Sequence, residues 1–108
     1  EEAISINRAC LALRPRGHPR RDTALTNLAF GLSERFKVGK RDEDIDEAIM
    51  LEREALSLRP ESHNNRSQLL NTLGYKLYLR YTHRGNPSDI EESIERLRAA
   101  LALCPEGH

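Results

Sequence analysis

Residues 47–63 read EAIMLEREALSLRPESH, and this stretch decides the fold because it occurs three times. The same pattern stands at 2–18 as EAISINRACLALRPRGH and at 92–108 as ESIERLRAALALCPEGH. Each copy lies 45 residues from the next, and no gap is needed to align them. An ungapped repeat of this length indicates an array of equivalent supersecondary units. Positions between the copies repeat as well: Arg21 with Arg66, and Arg35 with Arg80.

Two helical segments lie within each period. In residues 22–37 the apolar side chains follow the spacing i, i+3, i+4, i+7 and i+11, which places them on one face of an α-helix. Residues 45–59 have a second apolar stripe. The two stripes are Leu25, Leu28, Ala29, Leu32 and Phe36 (repeated as Leu70, Leu73, Gly74, Leu77 and Tyr81), and Ile45, Ala48, Ile49, Ala55, Leu56 and Leu58. The sequence therefore predicts an all-α protein with helices at about 1–14, 22–37, 45–59, 67–82 and 90–104.

Residues at the predicted helix ends agree with this division. Asp44 and Asp89 each stand where a side-chain oxygen can accept a hydrogen bond from the first free amides of a helix. The turn Asn86-Pro87-Ser88 precedes the last helix. Proline cannot continue a helix, and glycine favours the left-handed conformation that closes one. The ends predicted in this way are at Pro15, Pro60 and Pro105, with Gly17 and Gly107 just beyond.

The composition excludes several classes of function. With 17 basic and 17 acidic residues, the formal net charge is zero. This balance gives no electrostatic basis for binding nucleic acid or an anionic membrane. No stretch approaches the roughly 18 consecutive apolar residues of a membrane span. Cys10 and Cys104 are far apart and form no CxxC pair, so we expect reduced packing residues in a cytoplasmic protein.

The repeat resembles the tetratricopeptide repeat, whose pattern is Trp-x2-Leu-Gly-x2-Tyr, then Ala-x3-Phe and a closing Pro. The matching residues are Leu70, Leu73, Gly74 and Leu77, with Leu25, Leu28, Ala29 and Leu32 in the earlier copy and Ala48, Ala55 and Pro60 in the second helix. The period of 45 is longer than the usual 34, and Glu52 replaces the expected Phe. Long periods resemble the kinesin-light-chain-like subclass, and the phrase around Leu58-Arg59-Pro60 is similar to fungal arrays beside CHAT or nucleotide-binding signalling domains.

This resemblance implies a right-handed superhelical solenoid of antiparallel helix pairs. We expect residues 1–108 to be one repeat segment taken from a longer array, since the sequence opens on Glu-Glu-Ala without a signal peptide. Such arrays bind a peptide or protein on a concave face lined by the first helix of each pair. The partner-binding candidates on that face are Thr26, Phe30 and Ser33 in the first copy, and Asn71, Tyr75, Tyr78 and Leu79 in the second.

Two readings of these outward residues stay open. They form a groove for a protein partner, or they pack against the next repeat. The corresponding functions are a protein-interaction scaffold, and a structural or regulatory spacer that self-associates or controls a neighbouring CHAT-type peptidase or nucleotide-binding domain. Chaperone-tail binding is disfavoured, because the lysine of that clamp is absent at Thr26 and Phe30.

No catalytic, cofactor or metal site is expected. The chain has no HExxH, no Gly-rich phosphate loop and no GxSxG motif. His18, His63 and His108 recur with the period, but helices one repeat apart stand about 10 Å from each other. Zinc ligands lie about 2 Å from their metal, so histidines at that separation do not share an ion.

Overall fold

The structure, a computed structural model, describes residues 2–58 and 66–103. In those ranges the chain forms five α-helices and no strand, which confirms the predicted all-α class and the number of helices. The helices fall into two compact units: three lie within residues 1–58 and two lie within residues 59–108. The helices are α1 (Glu2–Ala12), α2 (Arg21–Gly39), α3 (Asp42–Ser57), α4 (Arg66–Arg84) and α5 (Pro87–Leu103).

Several helix ends differ from the sequence prediction. Helices α3 and α5 begin three residues earlier than expected, so Asp44 and Asp89 lie inside the first turn and do not cap it. Arg41 stands at the N-cap of α3 and makes no side-chain capping bond. Ahead of α5, Asn86 accepts a hydrogen bond from the Ser88 amide at 3.0 Å, as a capping side chain does. Six residues on which the sequence prediction relied for helix ends, cysteines and repeated histidines lie outside the described residues: Pro60, His63, Cys104, Pro105, Gly107 and His108.

In the first unit, α2 packs against both α1 and α3. The five apolar residues predicted for its inner face are buried almost completely, as are Ile45, Ala48 and Ile49 of α3. Burial of each large apolar side chain stabilises the fold by about 1.5–3 kcal/mol. Leu58 was expected in the same stripe but is 45% exposed, and it lies directly after the last residue of α3.

In the second unit, α4 and α5 approach each other closely at Gly74. A Cβ atom added there would lie 2.8 Å from Cγ of Leu97, which is too close for carbon atoms. Ser93 uses this proximity, since its buried hydroxyl donates a hydrogen bond of 2.7 Å to the Gly74 carbonyl. The equivalent positions in the first unit are Ala29 and Ala48, both fully buried. Small residues at this crossing therefore permit close packing in both units.

The two helices of each pair are joined by an Arg–Asp clamp. Arg35 of α2 donates to both carboxylate oxygens of Asp44 in α3, from Nε at 3.0 Å and from Nη2 at 2.9 Å. Arg80 of α4 binds Asp89 of α5 in the same way, at 2.9 and 2.8 Å. The two Asp side chains are only 4% and 6% exposed. The sequence indicates only that both arginines recur, and the structure shows that their partners are buried acids.

Each clamp spans a connection of two residues whose first member is left-handed. Lys40 has φ 58° and Gly85, 45 residues later, has φ 71°. Their amides donate to the Phe36 and Tyr81 carbonyls at 2.8 and 2.6 Å, which ends α2 and α4. Gly17 also has a positive φ of 92°, but it lies well beyond the end of α1 and does not close that helix as predicted.

Replacing Asp89 with Ala is expected to lower the free energy of unfolding by about 2 kcal/mol. The loss arises because Arg80 then keeps its charge in a largely buried place without its carboxylate. Arg96→Ala is the matched control, since Arg96 binds Glu92 at 3.3 Å in a more exposed pair on the same helix. That control should change stability by no more than about 0.5 kcal/mol. Urea unfolding measures both, and equal losses would show that burial of the clamp adds nothing.

Replacement by alanine should have opposite effects on stability at two glycines, one with a positive φ and one inside a helix. Gly85→Ala is expected to cost about 1 kcal/mol, because alanine is strained at positive φ although the space around it is open. Gly39→Ala, in the last turn of α2, should stabilise by up to about 1 kcal/mol through higher helix propensity. Thermal unfolding of the two variants tests this, and a stabilising Gly85→Ala would contradict the left-handed turn.

Candidate protein-binding face

The outward side of α2 bears an aromatic side chain, Phe30, which is 63% exposed. Thr26, one turn earlier, is half-buried, and its hydroxyl donates to the Thr23 carbonyl at 3.0 Å. Ser33 was expected to face outward, but it is 4% exposed and bonds to the Phe30 carbonyl at 3.0 Å. Since its side chain already has a partner within its own helix and almost no exposed surface, Ser33 is removed from the candidate face.

A groove of about 620 Å³ runs beside Phe30, between α1 and α2. Its walls are mainly apolar, with Ile4 and Gly31 at the helix contact and an exposed Val38 at one end. Of its charged residues, Arg35 is engaged with Asp44 and Glu34 bonds to Lys37 at 3.0 Å. The complete lining is Ala3, Ile4, Asn7, Phe30, Gly31, Glu34, Arg35, Val38, Gly39 and Arg41. The structure thus adds α1 to a site that the sequence assigned to α2 alone.

The corresponding side of α4 bears two tyrosines. Tyr75 occupies the position of Phe30 in the repeat and is 44% exposed, and Tyr78 is 47% exposed. Asn71 is exposed one turn before Tyr75, so these three side chains share one side of the helix. Leu79 is half-buried and contributes less surface than expected. Each unit therefore presents its own aromatic residue at the equivalent position of the first helix in its pair, α2 in the first unit and α4 in the second.

Several ionised residues of the first unit hold its helices together. Arg8 of α1 bonds through two nitrogens to the Glu47 carboxylate of α3, at 2.6 and 2.9 Å, and this bond raises the pKa of Arg8. Arg21 bonds to Glu54 at 2.6 Å and holds the pKa of that carboxyl below its usual range. Sequence reasoning missed both bonds, because their partners are 39 and 33 residues apart and fall outside any helical spacing.

The side chains of the candidate face can make apolar contacts and hydrogen bonds. Among the described residues, no group of three or more His, Cys, Asp or Glu side chains is placed to hold a metal ion. His18, the histidine of the repeat that can be placed, accepts a hydrogen bond from the Arg20 amide at 3.0 Å. Cys10 is a free, half-buried thiol. An exposed aromatic ring with amide and hydroxyl groups nearby fits a peptide or protein surface.

Comparisons with known proteins give no family for the chain. No protein-family model matches it, and searches of curated proteins and of solved structures found no match. Within residues 2–58 and 66–103, the helices are all too short or too polar to cross a membrane. The assignment of function therefore depends on the residues and their geometry.

Proposed function

We propose that the chain is a protein-interaction scaffold of the tetratricopeptide type, whose helix pairs stack into a right-handed solenoid in the cytoplasm. Two observations support stacking. One is the 45-residue repeat, and the other is that α2 packs against both α1 and α3, each of which is the second helix of a repeat pair. The partner is a peptide or a folded protein bound along the first helices of the pairs.

The observation that supports binding is the exposure of Phe30 and Tyr75 at equivalent positions. An aromatic side chain on the surface leaves a large apolar area in water, and covering it stabilises a complex. Residues of this kind dominate the free energy of many protein interfaces, where truncation to alanine costs about 2 kcal/mol or more. The apolar groove beside Phe30 gives a partner side chain a place to insert.

The variant Phe30→Ala, Tyr75→Ala, Tyr78→Ala should lose its protein partners. Partners captured by the wild-type chain are compared with those of the variant by quantitative mass spectrometry, and a loss of about tenfold or more is expected. The control is Glu43→Ala with Glu95→Ala, which changes exposed residues of α3 and α5 and leaves the first helices α2 and α4 intact. Partner lists that agree between the aromatic variant and the control would reject this face.

A second candidate function, a structural spacer that self-associates, is favoured by α5. Ile94, Leu97 and Leu101 follow the spacing i, i+3, i+7 and are all exposed, so α5 presents an apolar stripe to solvent. A stripe of this kind on a helix is typical of a surface covered by another helix. In this role the array would hold or control a neighbouring CHAT-type peptidase or nucleotide-binding domain.

Self-association through α5 predicts a concentration-dependent mass. We expect the wild-type chain to form larger species in sedimentation experiments as its concentration rises, because association buries the apolar stripe. Ile94→Glu with Leu101→Glu should remain monomeric, and Glu91→Lys, on an exposed polar position of the same helix, should behave as wild type. A wild-type chain that stays monomeric at every concentration would remove the spacer reading.

A further inference from the structure

The link between α1 and α2 is the most basic segment of the chain. Arg14, Arg16, Arg20 and Arg21 fall within eight residues, and no acidic residue occurs from Ala3 through Arg21. This local excess of positive charge is hidden by the overall neutrality of the chain. It lies on a different part of the first unit from the groove beside Phe30.

The backbone of this link is held in two successive turns. The His18 amide donates to the Pro15 carbonyl at 2.9 Å, and the Arg21 amide donates to the His18 carbonyl at 3.1 Å. The Arg21 side chain fastens the link, since Nη1 donates to the Arg14 carbonyl at 2.9 Å while Nε binds Glu54 of α3. A link fixed in this way presents its remaining side chains in a set arrangement, which lowers the entropic cost of binding.

The repeat itself separates the structural arginines of the link from the others. Arg14 and Arg21 have arginines at the equivalent positions 59 and 66, in agreement with their role in fastening the turns. Arg16 and Arg20 do not recur, because Glu61 and Asn65 stand at the equivalent positions. Both Arg16 and Arg20 are exposed. The repeat therefore tolerates other residues at 16 and 20, so it does not require positive charge at these two positions.

A groove of about 500 Å³ lies beside the link, between it and the helices of the first unit. Arg16 and Arg21 line one part of it, and the apolar side chains of Leu11, Pro15 and Leu28 line another. Glu47 is also present, bound to Arg8. A ligand that suits this surface has negative charge for the arginines and an apolar group for the leucines.

We propose that the basic link, defined as residues 14–21, binds an acidic peptide segment of a partner protein. Carboxylates of the peptide bind Arg16 and Arg20, and an apolar side chain lies against Leu11 and Pro15. The side chains of Leu11 and Pro15 can pack against an apolar side chain of a peptide but offer no hydrogen bond to a phosphate backbone, so a nucleic acid is the poorer fit. This surface is separate from the aromatic face, and neither proposal depends on the other.

The chain itself provides the variant that tests the basic link. Arg16→Glu with Arg20→Asn introduces the two residues that the next link has at the same positions, so the helical content measured by circular dichroism should not change. Fluorescence anisotropy with a labelled peptide of repeated Glu-Glu-Leu triplets should then show affinity reduced about tenfold. Binding to the wild-type chain should weaken as salt is added.

Controls separate the basic link from general charge and from the aromatic face. Arg84→Asn with Arg98→Glu makes the same change in net charge at exposed positions of the second unit and should bind the probe as wild type. The alanine variant of Phe30, Tyr75 and Tyr78 should also bind it normally. Equal affinity of the Arg16/Arg20 variant and the wild type would overturn the proposal. So would tighter binding of a DNA duplex, or equal binding of a Lys-Lys-Leu peptide.

Discussion

Each helix pair is constrained by a guanidinium and a carboxylate. The two groups face each other across the two-residue connection between the helices, which forms the corner of the pair. The Arg35–Asp44 and Arg80–Asp89 clamps use two parallel hydrogen bonds each, so they fix orientation as well as distance. The carboxylates are buried, and a buried carboxylate is tolerated only with such a partner. The corner, the helix crossing and the outward faces of both helices depend on this geometry.

Close contact at the helix crossing follows from the fixed corner. Ala29 is fully buried in the first unit, and Gly74 approaches α5 in the second, where Leu97 and the Ser93 carbonyl oxygen fill the space that a side chain would occupy. Because these inner positions are filled by packing, a ligand can contact only the outer positions. The aromatic residues and the link arginines are found there, away from the core.

The internal repeat gives a comparison within one chain that distinguishes structural residues from functional ones. Arg21, for example, recurs as Arg66, and the Arg21 side chain serves the fold by bonding to the Arg14 carbonyl. Arg16 does not recur, since its counterpart is Glu61, so the repeat does not require an arginine at that position. Two proposed surfaces result, an aromatic face on the first helices and a basic link, with different ligand chemistry.

The sequence by itself determined the helices and their buried faces. Folding removes one face of each helix from water, so the apolar residues, mostly leucines, recur with the helical period of 3.6 residues. It also located Phe30 and Tyr75 on the outside. Only the tertiary structure decided that Asp44 pairs with Arg35, that Ser33 is buried and that α1 completes the groove. Those facts depend on distances between separate helices, and the helical period contains no information about them.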